Sequence, residues 1–453
     1  MRKSKIVCTI GPSCDEKEIL EKLLKAGVDV VRFNFSHGNH ESHKKNLDIL
    51  KESVATTNLE VATLLDTKGP EIRTTFLEGG NPISLIPGNE IIVIGNPNFK
   101  GNSQKIGVTY EKISKVLKPD DYLLIEDGNY SLKVKKIVED EVICEVIIGG
   151  QLGEQKGVNL PGVKIDLPIL SEKDKEDLIF GCENGFDYIA ASFVRNVKNV
   201  ESIREFLDSH GGRDIKIISK IEDHEGLDNF KSILEASDGI MVARGDLGVN
   251  IPFEKVPLAQ KYIIKLCNEV GKPVITATQM LESMIFNPRP TRAETTDVAN
   301  AILDGTDAIM LSGETAKGKY PVETVEVMSK IAKKTDSIVK TKVFDAHLNP
   351  KNFSEKITRG LVALSEDIES KYIVVDCDNM QEIEMFRKYF PKAIVIALTD
   401  NNRLIRQLKL LKGVYSFSKE KFSLDEMKKL KGPIIRVYPN NKISIISGGE
   451  NYE

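Results

Sequence analysis

Short runs of β-branched and other apolar residues recur along most of the chain. Each is followed by a loop rich in charged and small residues, then by a stretch whose apolar positions fall at helical spacing. That grammar predicts parallel strands joined by crossover helices. Eight runs are predicted as strands: residues 6–10 (IVCTI), 28–33 (VDVVRF), 61–65 (VATLL), 187–191 (DYIAA), 215–219, 239–243 (GIMVA), 273–277 (PVITA) and 307–311 (DAIML). Helix ends are legible between them. Ser13 with Glu16 predicts a capping box ahead of the stripe Leu20, Leu23 and Leu24, with Gly27 as the stop; Ser171, Asp174 and Gly185 repeat the pattern.

Eight strand–helix units are the number that closes a (β/α)8 TIM barrel, which needs about 250 residues and carries its active site at the C-terminal ends of the strands. An open, doubly wound sheet is the alternative. Between the third and fourth runs the rhythm changes to short strands and tight turns, at Pro87–Gly88, Asp127–Asn129 and Gly149–Gly150. This predicts an inserted, β-barrel-like lid domain standing over the site, where it could exclude water. Beyond about residue 338 the pattern restarts with a helix (354–370) and the strands YIVVDC, AIVIAL, IIRVYP and KISII. The expected organisation is therefore an α/β protein with a catalytic barrel (1–69 and 167–338), a lid (70–166) and a C-terminal α/β domain (339–453) suited to interfaces and regulation.

Composition narrows the function. A chain of 453 residues suggests roughly three folding units at about 150 residues each. Lysine plus arginine (63) nearly balances aspartate plus glutamate (67), so no global basic field exists for nucleic acid or an anionic membrane. No stretch approaches the roughly 18 apolar residues of a membrane span, and MRKSKIVCTIGPSC reads as a strand running into a turn; the chain is expected to be cytoplasmic. Six cysteines without a CxxC pair argue against a disulfide frame or a zinc site.

A barrel should place chemistry immediately after its strands. Here the second run leads into Arg32, Asn34, Ser36 and His37, and the third into Asp66, Thr67 and Lys68, with Glu71 and Arg73 beyond. The fifth leads into Lys220 and Glu222, the sixth into Arg244, Gly245 and Asp246, the seventh into Thr276 and Thr278, and the eighth into Ser312 and Glu314. One such residue would be a surface ion pair; recurrence at six strand ends points to a site. Glu222 and Asp246 are hard carboxylates from neighbouring strand ends, able to hold Mg2+ or Mn2+ while leaving positions open to substrate. The same pair could work as general acid and base, but Lys220, on the same strand face as Glu222, supplies the charge that phosphoryl transfer needs. Arg32 and Arg73 add planar forks for phosphate or carboxylate, Gly245 would let the backbone approach a ligand, and Thr278 offers a hydroxyl.

Two patterns carry less. GETAKGK (313–319) approaches a Walker A loop, but Tyr320 follows where a metal-binding hydroxyl is required. His37, His40 and His43 recur every three residues and read as a solvated face, with only His37 positioned to touch a ligand.

These residues lie in long motifs: VVRFNFSHG (30–38), LLDTKGPEIRT (64–74), KGVNLPG (156–162), IISKIED (217–223), MVARGDLGV (241–249), ATQMLESM (277–284), NPRPTRAE (287–294) and MLSGETAKGKYP (310–321). In that order, over essentially the whole chain, they resemble pyruvate kinase. The resemblance implies phosphoryl transfer from phosphoenolpyruvate to ADP, giving pyruvate and ATP in the last step of glycolysis, by a homotetramer. It implies Glu222 and Asp246 as ligands of the divalent metal and Lys220 on the phosphoryl group in flight. Arg32, Lys220, Gly245, Asp246 and Thr278 would contact phosphoenolpyruvate, with Thr278 near proton delivery. Asn34, Ser36, Asp66 and Thr67 would hold K+, and Asn34, His37, Arg73 and Lys156 would serve the nucleotide. Glu71 beside the K+ ligands leaves a negative site that a monovalent cation can neutralise.

The sequence departs from the family at Ser42, where a tyrosine is common, and no adenine contact is assigned there. No further phosphotransfer domain is expected after residue 453, and the usual sugar-bisphosphate loop is not legible: YIVVDC is followed by DNMQEIE, whose Asp378, Glu382 and Glu384 put negative charge at a helix start. Two rival readings stand beside this one. A metal-dependent aldolase of the barrel class would use the same carboxylates but has no use for LLDTKGPEIRT or a lid. An idle homologue retained for binding would need a lost chemical residue, and Arg32, Lys220, Glu222, Asp246 and Thr278 are all present.

Overall fold

A computed structural model describes residues 1–345, 348–422, 430, 432–438 and 442–448. Eight strands, β1 (Lys5–Thr9), β2 (Val30–Asn34), β3 (Ala62–Asp66), β4 (Tyr188–Ala191), β5 (Lys216–Ile221), β6 (Gly239–Ala243), β7 (Val274–Ala277) and β8 (Ala308–Leu311), close into a barrel in chain order, every pair parallel. Val7, Val30, Leu64, Tyr188, Ile218, Met241, Ile275 and Met310 fill its interior at 0–1 % exposure. Their alternate neighbours, Ile6, Val31, Leu65, Ile189, Ile217, Ile240, Val274 and Ile309, pack against the surrounding helices. Strands buried on both faces in this way read as continuous apolar runs, the feature that made them visible in the sequence.

The helix Glu172–Asn184 starts on the expected capping box of Ser171 and Asp174 and stops at Gly185 (φ 71). The other expected box does not form. Helix Lys17–Ala26 begins at Glu16 without a side-chain cap, because the Ser13 N–H donates instead to Ala316 O (3.0 Å) and ties that turn to the loop after β8. Ser42 closes a capping box with Asn39 at the head of helix His40–Thr57.

Between β3 and β4 the chain forms a seven-stranded, mostly antiparallel sheet from Ile72–Arg73 to Gly157–Asn159, with its own core of Ile91, Val93, Leu123, Val134 and Val142. After the barrel comes a five-stranded sheet: β9 (Tyr372–Asp376), β10 (Ile394–Leu398), β11 (Val414–Phe417), β12 (Gly432–Val437) and β13 (Ile443–Gly448), in the order β11-β10-β9-β12-β13. Only β12–β13 is antiparallel. Strand β11 was not expected, and Pro439, the last residue of the expected strand IIRVYP, lies outside the described residues.

The C-terminal part closes the barrel floor. Leu410, fully buried, packs with the barrel interior, and the Tyr188 hydroxyl donates to Gln407 O. Arg387, 1 % exposed, donates to Asp307 Oδ1 (2.6 Å) at the foot of β8 and to Asn268 Oδ1 (2.7 Å). No helix of the described residues is long and apolar enough to cross a membrane.

Candidate active site at the barrel mouth

At the C-terminal ends of β2, β3 and β5 four buried groups of alternating charge touch in series. Arg32 donates through Nε to Asp66 Oδ2 (2.6 Å) and through Nη1 to Thr9 Oγ1 (2.9 Å). Lys220 Nζ sits 3.0 Å from Asp66 Oδ1, 2.9 Å from Glu222 Oε1 and 2.8 Å from Ser192 Oγ. The strand period of two puts Lys220 and Glu222 on one face, and the β2–β3 register sets Asn34 opposite Asp66.

Burial would push the Asp66 carboxyl up, but Arg32 and Lys220 outweigh it and hold the group below its ordinary value. For Lys220 burial acts downward and is overcome by Asp66, Glu222 and Asp246, so the ammonium is held charged. Glu222 goes the other way: burial together with the nearby Asp246 charge raises it against the pull of Lys220. Its Oε2 accepts the Phe193 N–H (2.5 Å), and Phe193 has φ 54.

Asp246 lies half-buried in the first turn of the short helix Arg244–Asn250, and among the described residues its carboxylate forms no ion pair. Asn250 donates to Glu222 O and Asp246 O (both 3.0 Å), tying the two acidic loops together. Among the described residues no three His, Cys, Asp or Glu side chains converge as a ready-made metal cage. A Cβ on Gly245 would meet nothing nearer than Thr278 Oγ1 at 3.4 Å, so no protein neighbour demands glycine there. The Gly245 N–H donates to that same hydroxyl (2.8 Å), and Thr278 has φ 66.

The residues expected at K+ lie at the adjoining ends of β2 and β3, and Asp66 is already engaged. The Asn34 Oδ1 accepts the Ser36 N–H (3.2 Å), Thr67 Oγ1 accepts the Ser192 N–H (3.1 Å) and Thr67 O accepts the Ser192 hydroxyl (2.6 Å). Of the nucleotide set, Arg73 and Lys156 share a cavity of about 440 Å³ with Asp127, Asp246 and Arg195. Arg73 is paired with Glu71 (Nε, 2.8 Å) and Lys156 with Glu126. His37 stands apart, exposed in the turn after β2.

Of the histidine triplet, His37 is solvated as expected but His43 is not, and His40 is only partly so. His43 is 7 % exposed, stacks on Phe35 with ring centroids 4.0 Å apart and meets His37 O at 2.9 Å, while His40 meets Asp177 Oδ1 at 2.7 Å and stacks on Phe180. The helix carrying His40 and His43 turns toward an aromatic cluster that the spacing of histidines alone does not announce. Glu314 is likewise internal: its oxygens accept Ser312 N–H (2.8 Å) and Leu281 N–H (3.2 Å).

The residues missed were Ser192 and Phe193 at the end of β4. The position after a barrel strand was the only signal for them, since neither carries a charge.

The family model described as the pyruvate kinase barrel domain matches residues 1–325. The chain is 46% identical over 421 residues to a pyruvate kinase of Clostridium perfringens, covering 92% of this chain and 89% of that one. It is also 46% identical over 431 residues to a pyruvate kinase of Clostridium acetobutylicum, covering 94% and 91%. A crystal structure of a pyruvate kinase from Cryptosporidium parvum matches with a TM-score of 0.94 at 40% identity, covering 98% of this chain and 96% of that one. Matched across its barrel, and aligned with such enzymes over more than nine-tenths of its length, the chain belongs to the pyruvate kinase family.

Proposed function

We propose that the charged series Arg32–Asp66–Lys220–Glu222, with Asp246, Gly245 and Thr278 beside it, carries out the reaction of the family in this chain: transfer of the phosphoryl group of phosphoenolpyruvate to ADP. The chain is a phosphotransferase of glycolysis, and the single observation that best supports giving the work to these residues is Lys220. Its ammonium is buried, held charged by three carboxylates, and braced by Ser192. A cation fixed in a low-dielectric cleft stabilises charge developing on phosphoryl oxygens without reorganising during the reaction.

Arg32 would orient phosphoenolpyruvate, with Gly245 leaving it room beside the backbone, and Thr278 would stand near the carbon to be protonated, passing the proton through water because a hydroxyl is too weak an acid alone. Glu222 and Asp246 fit a divalent ion: the Asp246 charge raises the cost of ionising Glu222, and among the described residues Asp246 forms no ion pair. Mg2+ or Mn2+ held there would supply Lewis-acid neutralisation of the phosphate and enolate oxygens. Asn34, Ser36, Asp66 and Thr67 would hold K+. Arg73, Lys156, Asn34 and His37 would take the nucleotide phosphates, Arg73 and Lys156 exchanging Glu71 and Glu126 for ADP.

The division into barrel (1–69 and 167–338), lid (70–166) and C-terminal domain (339–453) belongs to the same proposal. Lys156 and Asp127 from the inserted sheet line one cavity with Asp246 and Arg195 from the barrel, which supports a lid that excludes water. Exposed Phe253, Leu258 and Phe286 support assembly with other copies; the homotetramer and the cytoplasmic setting rest on the family resemblance alone. The test is whether purified protein forms pyruvate from phosphoenolpyruvate only when ADP and Mg2+ are both present; pyruvate formed without ADP, or none with both, overturns the reading.

A further inference from the structure

Thr278 and Gln279, consecutive residues after β7, both lie in the left-handed region, at φ 66 and φ 54. Neither is glycine, so this backbone is sterically disfavoured and persists only where its surroundings fix it. The fixing groups come from the neighbouring strand end. Arg244 donates through Nη2 to Thr278 O (2.6 Å) and through Nε to Ala277 O (3.2 Å), the carbonyls on either side of the Thr278 N–H. Its Nη1 meets Asp297 Oδ1 at 2.8 Å and Oδ2 at 2.7 Å, with Gln260 Oε1 at 3.3 Å. The side chain is only 10% exposed. Immediately after it in the chain, the Gly245 N–H donates to the Thr278 hydroxyl. Thr278 is thus gripped by its carbonyl and by its side chain, both from the β6 end that also carries Asp246.

A surface ion pair between Arg244 and Asp297 would need neither the burial nor the two carbonyls. A planar guanidinium can span two successive carbonyls and a carboxylate at once, which a lysine ammonium cannot.

We propose that Arg244 is a positioning residue for the reaction: it holds the backbone of Thr278 left-handed so that the hydroxyl stays over Gly245 and the substrate, with Asp297 anchoring the guanidinium. The inference rests on the assignment of Thr278 to proton delivery made above.

The experiment uses the full chain with Arg244→Lys, Thr278→Val, their double variant, and Arg244→Lys combined with Gln279→Gly. Arg244→Lys keeps a cation for Asp297, which favours folding. Its kcat should fall on the order of 10²-fold, the scale of a small misplacement at the reacting centre, with KM for phosphoenolpyruvate little changed. Acting through Thr278, it should add almost nothing to Thr278→Val, so the double variant should stay within about 3-fold of that single variant. Gln279→Gly, which takes φ 54 without strain, should restore part of the lost kcat. Multiplying losses in the double variant, or no rescue by Gln279→Gly, would reduce Arg244 to a structural ion pair and overturn the proposal. Thr278→Val with wild-type kcat would refute the role of Thr278 itself and this inference with it. A crippled Thr278→Val beside a fully active Arg244→Lys refutes the role of Arg244 alone.

Discussion

Replacing Lys220 with methionine removes the buried cation while keeping much of its volume. A phosphoryl oxygen about 4 Å from that ammonium would interact by about 4 kcal/mol per unit charge at an effective dielectric near 20. Losing it at the transition state corresponds to roughly a 10³-fold fall in kcat, since each 1.36 kcal/mol is about tenfold. The substitution also leaves two carboxylates with less compensation, and they are not equally exposed to the loss. Asp66 keeps Arg32 at 2.6 Å, whereas among the described residues Glu222 keeps only the Phe193 N–H as a hydrogen-bond donor. Metal binding should therefore survive, because a divalent ion offsets the charge that Lys220 offset before. The assay is pyruvate formation coupled to a dehydrogenase, paired with Mn2+ titration of the same preparation and near-ultraviolet circular dichroism to confirm folding. Folded, Mn2+-binding Lys220→Met that keeps more than about a tenth of wild-type kcat would refute the role given to this residue.

Further expectations follow from other parts of the molecule. Activity should depend on K+: rates in KCl should exceed those in tetramethylammonium chloride at equal ionic strength, and equal rates would show that the pairing of Glu71 with Arg73 already neutralises the site. Burial lowers Lys5 to about 8, while the unfolded chain keeps that proton up to about 10.5, so the unfolded state binds more protons across this window and stability should rise with pH through it. Lys5→Met should flatten the rise in unfolding free energy between pH 8 and 10, by an amount on the order of 3 kcal/mol at most; an unchanged slope would contradict the burial argument. Fructose 1,6-bisphosphate should not activate through the start of helix Met380–Arg387, because Asn379 already caps it and Glu382 reaches back to the Asp378 N–H (3.3 Å). A left-shifted phosphoenolpyruvate saturation curve that mutation of 378–384 abolishes would overturn that expectation.

The barrel was legible because its strands are short, parallel and buried on both faces, leaving eight apolar runs whose positions agree with the structure to within two residues. Strand β11 escaped because VYSF alternates buried and partly exposed positions over only four residues. The chemical residues at strand ends were visible by type, whereas their partners were not: Glu126 is thirty positions from Lys156 and belongs to a different strand connection. Glu384 was grouped with the acidic helix start, yet burial and the nearby Asp238 charge raise it to about 7. Sequence spacing gave the helix; it could not say which face met the barrel. His43 failed for the same reason.

Leu410 has a consequence for how such a molecule can be taken apart. Barrels of this kind ordinarily seal their floor with side chains from their own strands, but here one stopper is lent by a segment lying a hundred residues beyond β8. The C-terminal part is therefore not a detachable module. Exchanging it with that of a relative would succeed only if the incoming segment carried both a matching stopper and a partner for Asp307, and a chain cut after residue 338 would present water to the underside of the strands whose upper ends hold Lys220 and Glu222.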